Sequence, residues 1–104
     1  MTEAEKAFNS IAEKMSAEFV DVDRGPMMSS PGIRKKGRVI AFFYENKMVF
    51  KLGKHRDLES EFGIKRFEYL SPFKNKPPMK GWFIIDVDYI SLWSDLASEA
   101  YETM

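Results

Sequence analysis

Residues 38–52 read RVIAFFYENKMVFKL, two apolar runs separated by the polar break Glu45-Asn46-Lys47. Val39, Ile40, Phe42, Phe43 and Tyr44 precede the break, and Met48, Val49, Phe50 and Leu52 follow it. β-Branched and aromatic side chains at this density fit a pleated, half-buried surface, so the stretch is predicted to be a β-hairpin at the centre of a small sheet. A buried helix is the alternative for a short apolar run, but a polar turn in the middle favours strands. Asn46 tolerates the positive φ that a three-residue hairpin loop needs at one position. Val39 to Tyr44 are apolar without alternation, which demands cover on both faces or a very wide core face. Beyond the break, Lys47, Val49 and Lys51 alternate with Met48, Phe50 and Leu52, which assigns the latter three to the core.

The flanking sequence supplies what such a hairpin packs against. Thr2 and Glu5 form a capping box. Ala4, Phe8, Ile11, Ala12, Met15 and Phe19 then recur at helical spacing and predict an amphipathic helix over about residues 3–18. Its apolar stripe reads as core. Residues 19–28 are predicted to hold a first strand, beginning in the alternating Phe19-Val20-Asp21-Val22-Asp23. Ser29-Ser30-Pro31-Gly32 reads as turn-rich. Lys36-Gly37 reads as a tight turn into the central hairpin, the glycine supplying positive φ. Gly53 ends the hairpin. A short helix over 56–62 stops at Gly63. Residues 65–70 are predicted as a strand, 71–79 as a loop broken by Pro72, Pro77 and Pro78, and Trp82 to Val87 as a buried strand. Asp88 is predicted to cap a last helix carrying Leu92, Trp93, Leu96, Ala97 and Ala100 on one face.

The expected order is therefore α-β-β-β-α-β-β-α. This is an α+β two-layer sandwich, a five-stranded antiparallel sheet with helices packed on it. The chain of 104 residues suits one domain spanning 1–104. Hydrophobic residues make up 44% of it, ample for a core.

Charge is unevenly spread. Residues 1–23 balance at −4, 24–54 at +7, 55–81 at +2 and 82–104 at −5. A basic middle between acidic ends marks either an anionic partner or a sheet neutralised by helices lying across it. Arg34, Lys35, Lys36 and Arg38 are the sharpest basic cluster. They are the candidate binding residues, toward phosphates, with Lys51 and Lys54 as possible additions. The same cluster can equally blunt an edge strand or keep a turn soluble. It lacks the interleaved aromatics that stack bases.

Chemistry is otherwise sparse. There are no cysteines, which excludes disulfides, thiolate zinc sites and cysteine nucleophiles and permits a reducing, cytoplasmic setting. His55 is the single histidine, and Asp57, Glu59 and Glu61 beside it present no spacing that specifies a metal. No glycine-flanked nucleophile and no phosphate-cradling glycine motif occurs, and Ser29-Ser30 is a weak nucleophile candidate. Asp86 and Asp88 share a side at a strand end, where a helix cap is the simpler role. Met27 and Met28 suit an adaptable surface or core filling. No apolar run approaches a spanning helix, and MTEAEKAF lacks the apolar centre of a secretion signal. No catalytic residue, cofactor or metal is expected.

Several stretches together resemble the TfoX N-terminal domain family. Arg24-Gly25-Pro26-Met27-Met28 followed by Pro31-Gly32-Ile33 is similar to its opening turn, with Met28-Ser29-Ser30 where the family has phenylalanine-glycine-glycine. Gly37-Arg38-Val39-Ile40-Ala41 and Met48-Val49-Phe50-Lys51-Leu52 are similar to its strands. Ser71-Pro72-Phe73 and Pro78-Met79-Lys80-Gly81-Trp82 resemble its proline-phenylalanine and proline-methionine-basic-glycine-tryptophan stretches, the latter being the most specific. Trp93, Leu96, Ala97 and Ala100 fit its closing helix. The resemblance covers about residues 20–101 and implies a cytoplasmic α+β domain without known enzymatic activity. It stops short of the second, C-terminal domain of the two-domain competence regulators, so their role is not carried over.

Three functions follow as expectations. The first is a non-catalytic binding or regulatory module acting through a protein partner or a homodimer. The second is nucleic-acid association through Arg34, Lys35, Lys36 and Arg38. The third is a small-ligand protein or enzyme with a pocket between sheet and helices near Trp82 and Tyr44. No membrane partner is expected.

Overall fold

A computed structural model describes residues 2–27, 30–71 and 75–103. Met28 and Ser29, and Pro72 and Phe73, on which part of the sequence reading rests, lie outside them. The elements are α1 (Glu3–Glu18), β1 (Val22–Met27), β2 (Ser30–Lys35), β3 (Arg38–Tyr44), β4 (Lys47–Lys51), α2 (Leu58–Phe62), β5 (Glu68–Leu70), β6 (Met79–Ile85), a 3-10 helix (Val87–Leu92) and α3 (Trp93–Thr103). The fold is α+β, with helices on an antiparallel sheet in the order β1-β2-β3-β4-β6-β5.

The sheet has six strands rather than five, the addition being β2. Ser29-Ser30-Pro31-Gly32 reads as turn-rich because proline and glycine adjoin there. Instead Pro31 pairs with Pro26 and Gly32 with Gly25, and Ile33 stands opposite Arg24. Two prolines at one register position remove an amide from each strand together, and glycines at the next let the backbones close up.

Both hairpins around β3 turn on two-residue loops. Lys36 and Gly37 take φ of 53° and 80°, and Glu45 and Asn46 take 49° and 62°. Left-handed conformations at both positions match the twist of the flanking strands. The second loop is shorter than expected because Lys47 is already paired with Tyr44.

The unbroken apolar run of β3 is explained by two cores. On one face α1, α2 and α3 pack on Ile33, Ile40, Ala41, Met48, Phe50, Phe83 and Ile85. On the other, Phe42, Val49, Leu70 and Trp82 form a smaller cluster. Val49, placed by alternation with lysines, is fully buried there. Ile33 pairs with Ala41 but Arg34 with Val39, so Ile40 is an extra residue in β3. This bulge turns both Ile40 and Ala41 into the helix-side core.

The helix ends follow local chemistry. The predicted capping box is present, Thr2 Oγ1 accepting from Glu5 N at 3.1 Å. Asp57 caps α2, and Gly63 closes it with φ 71°. Before the last helix the cap is Asp86, not Asp88. The Asp86 side chain accepts from Asp88 N at 2.9 Å, starting the 3-10 helix that leads into α3.

Candidate binding surface

The four basic residues picked out in the sequence do not form one surface, because they sit on a strand and its turn. Arg34 lies on the helix-free face, where Nε and Nη2 donate to the Asp23 carboxylate at 2.9 and 2.7 Å. These bonds hold the Asp23 carboxyl below its usual range and raise the Arg34 guanidinium in turn. Lys35 points the other way. Its Nζ donates to the Tyr101 carbonyl at 2.9 Å and stands 4.0 Å from the Tyr101 ring centroid, at the end of α3. There it meets orphan helix carbonyls. The Tyr101 hydroxyl in turn donates to Asp21 at 2.9 Å, which raises that phenol. Phe19 stacks on the same ring, with centroids 4.0 Å apart. Lys36, at the turn, and Arg38, opposite Lys35, are exposed. Neither makes an ion pair among the described residues.

A concavity lies elsewhere, on the face of the sheet that carries no helix. It is a groove of about 620 Å³ lined by Lys51, Gly53, Lys54, Pro77, Pro78, Met79, Gly81 and Trp82. Lys51 and Trp82 are register partners, and Lys51 Nζ stands 5.8 Å from the indole centroid. Leu52 N and Gly53 N both donate to Gly81 O, at 2.9 and 3.2 Å, holding the chain after β4 against β6. Gly53 takes φ 94° there, a conformation open to glycine. Tyr69 pairs with Phe83 but Leu70 with Met79, so residues 80–82 of β6 are passed in one step of β5. The indole packs inward on Phe42 at 5.8 Å, whereas Pro77, Pro78 and Met79 are exposed. The expected pocket near Trp82 thus opens on the side away from the helices, and Tyr44 does not line it.

A second cleft, of about 430 Å³, lies at the opposite end of β6, lined by Lys47, Lys65, Arg66, Phe67, Glu68, Ile84 and Asp86. Its wall carries charges of both signs. Arg66 Nη2 meets Asp88 Oδ2 at 2.6 Å. The Tyr89 hydroxyl accepts from Lys65 N at 3.1 Å and Arg66 N at 3.3 Å, and these amides lower the phenol.

The remaining candidates have local roles. Asp57 caps α2. Glu61 accepts two bonds from Arg56, which also reaches Glu99 at 2.6 Å, tying α2 to α3. His55 is exposed. Among the described residues, no three histidine or carboxylate side chains gather as a metal site, and no helix is long and apolar enough to cross a membrane. Pairing of the groove's two lysines with Pro77, Pro78 and Met79 escaped sequence reasoning. Its only signal was that Pro78 to Trp82 stood out as a motif, since a loop and a strand end meet there only through the register of β6. No family model, no curated protein and no solved structure matches the chain.

Proposed function

We propose that this chain is a non-catalytic, cytoplasmic binding or regulatory module, and that its protein partner docks at the groove beside Trp82. The observation that carries this reading is the groove itself. It joins exposed Pro77, Pro78 and Met79 to two lysines on a sheet face free of helices. Proline and methionine present apolar surface at low conformational cost or with high adaptability, as partner-binding surfaces do. The TfoX N-terminal resemblance supports the same reading, because Pro78, Met79, Gly81 and Trp82 of its most specific stretch line the groove. The test is photo-crosslinking in cells from a photoreactive residue at Met79, compared with one at exposed Lys14 on α1. Protein adducts at 79 and none at 14 are expected. Equal patterns at both positions would overturn the reading.

A second reading, nucleic-acid association, is favoured by Lys36 and Arg38, which project from the β2–β3 turn. Two phosphate contacts would give a log–log salt slope of about −2, removed in the Lys36→Ala/Arg38→Ala variant. A flat salt series on random-sequence DNA and RNA would exclude it.

A further inference from the structure

We infer that the groove beside Trp82 takes an extended acidic segment of a partner protein, which sets an aliphatic side chain on Pro78 and Met79 and a carboxylate between Lys51 and Lys54. The inference rests on the protein-binding reading above and adds the chemistry of the partner.

Charge is the first argument. Among the described residues the groove is lined by two lysines and no acid, whereas the cleft at the other end of β6 holds Glu68 and Asp86 beside its three cations. Neither Lys51 nor Lys54 makes an ion pair among the described residues. The ammonium is a point charge that accepts a carboxylate from many directions. The helices on the far face carry nine acids against two lysines, so the molecule is negative on its helix layer. An acidic segment is repelled from that layer and steered to this face.

The apolar wall is the second argument. Met79 is 38% exposed, while Trp82 is only 8% exposed with its ring engaged by Phe42. Single-stranded nucleic acids hold to such faces by stacking bases on open aromatic rings, and among the described residues no open ring lines this groove. A thioether and two pyrrolidines suit an aliphatic side chain. Gly53 and Gly81 leave part of the lining without side chains, which lets an extended backbone come close. The volume of about 620 Å³ is in the range of formed ligand sites, roughly 300–1,000 Å³.

The experiment is selection of random displayed dodecamer peptides on the full chain and on its Lys51→Glu/Lys54→Glu variant, with circular dichroism checking that both fold. The wild-type pool is expected to be rich in Asp and Glu next to Leu, Ile or Met. The leading peptide should lose about tenfold or more in affinity on the charge-reversed protein, the worth of a charge-assisted contact. Met79→Ala should also weaken it, with a shift in Trp82 emission on binding. Lys54→Glu alone, at an exposed position, serves if the double variant does not fold. A pool without acidic bias overturns this inference and leaves the protein-binding reading standing. Failure to enrich any peptide overturns both. Oligothymidylate binding abolished by the lysine reversals assigns the groove to nucleic acid and overturns it as well.

Discussion

A Cβ built on Gly32 would stand 2.7 Å from the Gly25 carbonyl oxygen and 3.3 Å from that of Ala41. Gly32 is therefore hemmed in by backbone on both neighbouring strands. Gly32→Ala is expected to destabilise the fold by about 1–3 kcal/mol in urea unfolding, as a forced fit in a packed sheet does. Gly25→Ala is expected to behave differently. The atoms nearest its Cβ would be Nε, Cζ and Cδ of the Arg34 side chain, which can swing away. The fold should survive, but Asp23 should lose its partner. Its carboxyl, followed by NMR, should return to the ordinary range, as it should in Arg34→Ala, and the two changes should not add.

Glu45 holds a left-handed φ of 49°, a conformation that costs an ordinary L-residue roughly 1–2 kcal/mol and asparagine less. Glu45→Asn is expected to raise stability by about 0.5–1 kcal/mol. A thermal melt in which the variant unfolds at or below the wild-type temperature would contradict this.

Trp93 is fully buried and its Nε1 donates to no acceptor among the described residues. Trp93→Phe removes that donor and some volume together. The two effects oppose one another, so the variant is expected within about 1 kcal/mol of wild type. Trp93→Ala removes the same donor but far more volume and is expected to cost ~3–5 kcal/mol. A Phe variant that loses clearly more than about 1 kcal/mol would mean that the indole nitrogen is hydrogen-bonded in solution.

Acid should loosen the molecule. Asp23 and Glu61 are held below the carboxylate range by bonds from Arg34 and Arg56. A depressed carboxyl stabilises fully above its unfolded pKa, about 4, and the contribution is lost as pH falls through the folded value. Arg56→Ala is expected to lower the melting temperature at neutral pH by roughly 2–6 °C, the scale of an exposed ion-pair network. The gap to wild type should narrow as pH falls below about 4. A gap constant from pH 7 to 2 would show that Arg56 acts through its aliphatic stem.

Much of the fold was written in local patterns. The 3–18 helix, the central hairpin, the Gly63 stop and the 36–37 turn each rest on residues within a few positions of one another, so the sequence alone suffices. β2 does not. Pro31 and Gly32 carry turn signals, and only their pairing with Pro26 and Gly25, set by the neighbouring strand, makes them strand residues. Val49 was hidden for a similar reason, since its burial depends on Trp82 and Leu70 arriving on the second face. The cluster 34–38 looked continuous because adjacency in sequence is not adjacency on a pleat. In a strand, Arg34 and Lys35 must face opposite ways. The groove brings Lys51 and Lys54 to Pro77, Pro78 and Met79 across a register irregularity that no local pattern encodes.

The Tyr101 cluster has a consequence for how the chain comes together. Its hydroxyl reaches Asp21, 80 positions earlier, and its carbonyl holds Lys35, 66 positions earlier. During synthesis, at roughly 5–20 residues per second, α1, β1 and β2 emerge well before the ring that joins them. The outer edge of the sheet stays unlatched until α3 has left the ribosome, so the domain closes late and from both ends at once. Such long-range closure is slow compared with helix or hairpin formation, and nascent chains cut short before residue 101 are the ones that expose β1 to pairing with another chain.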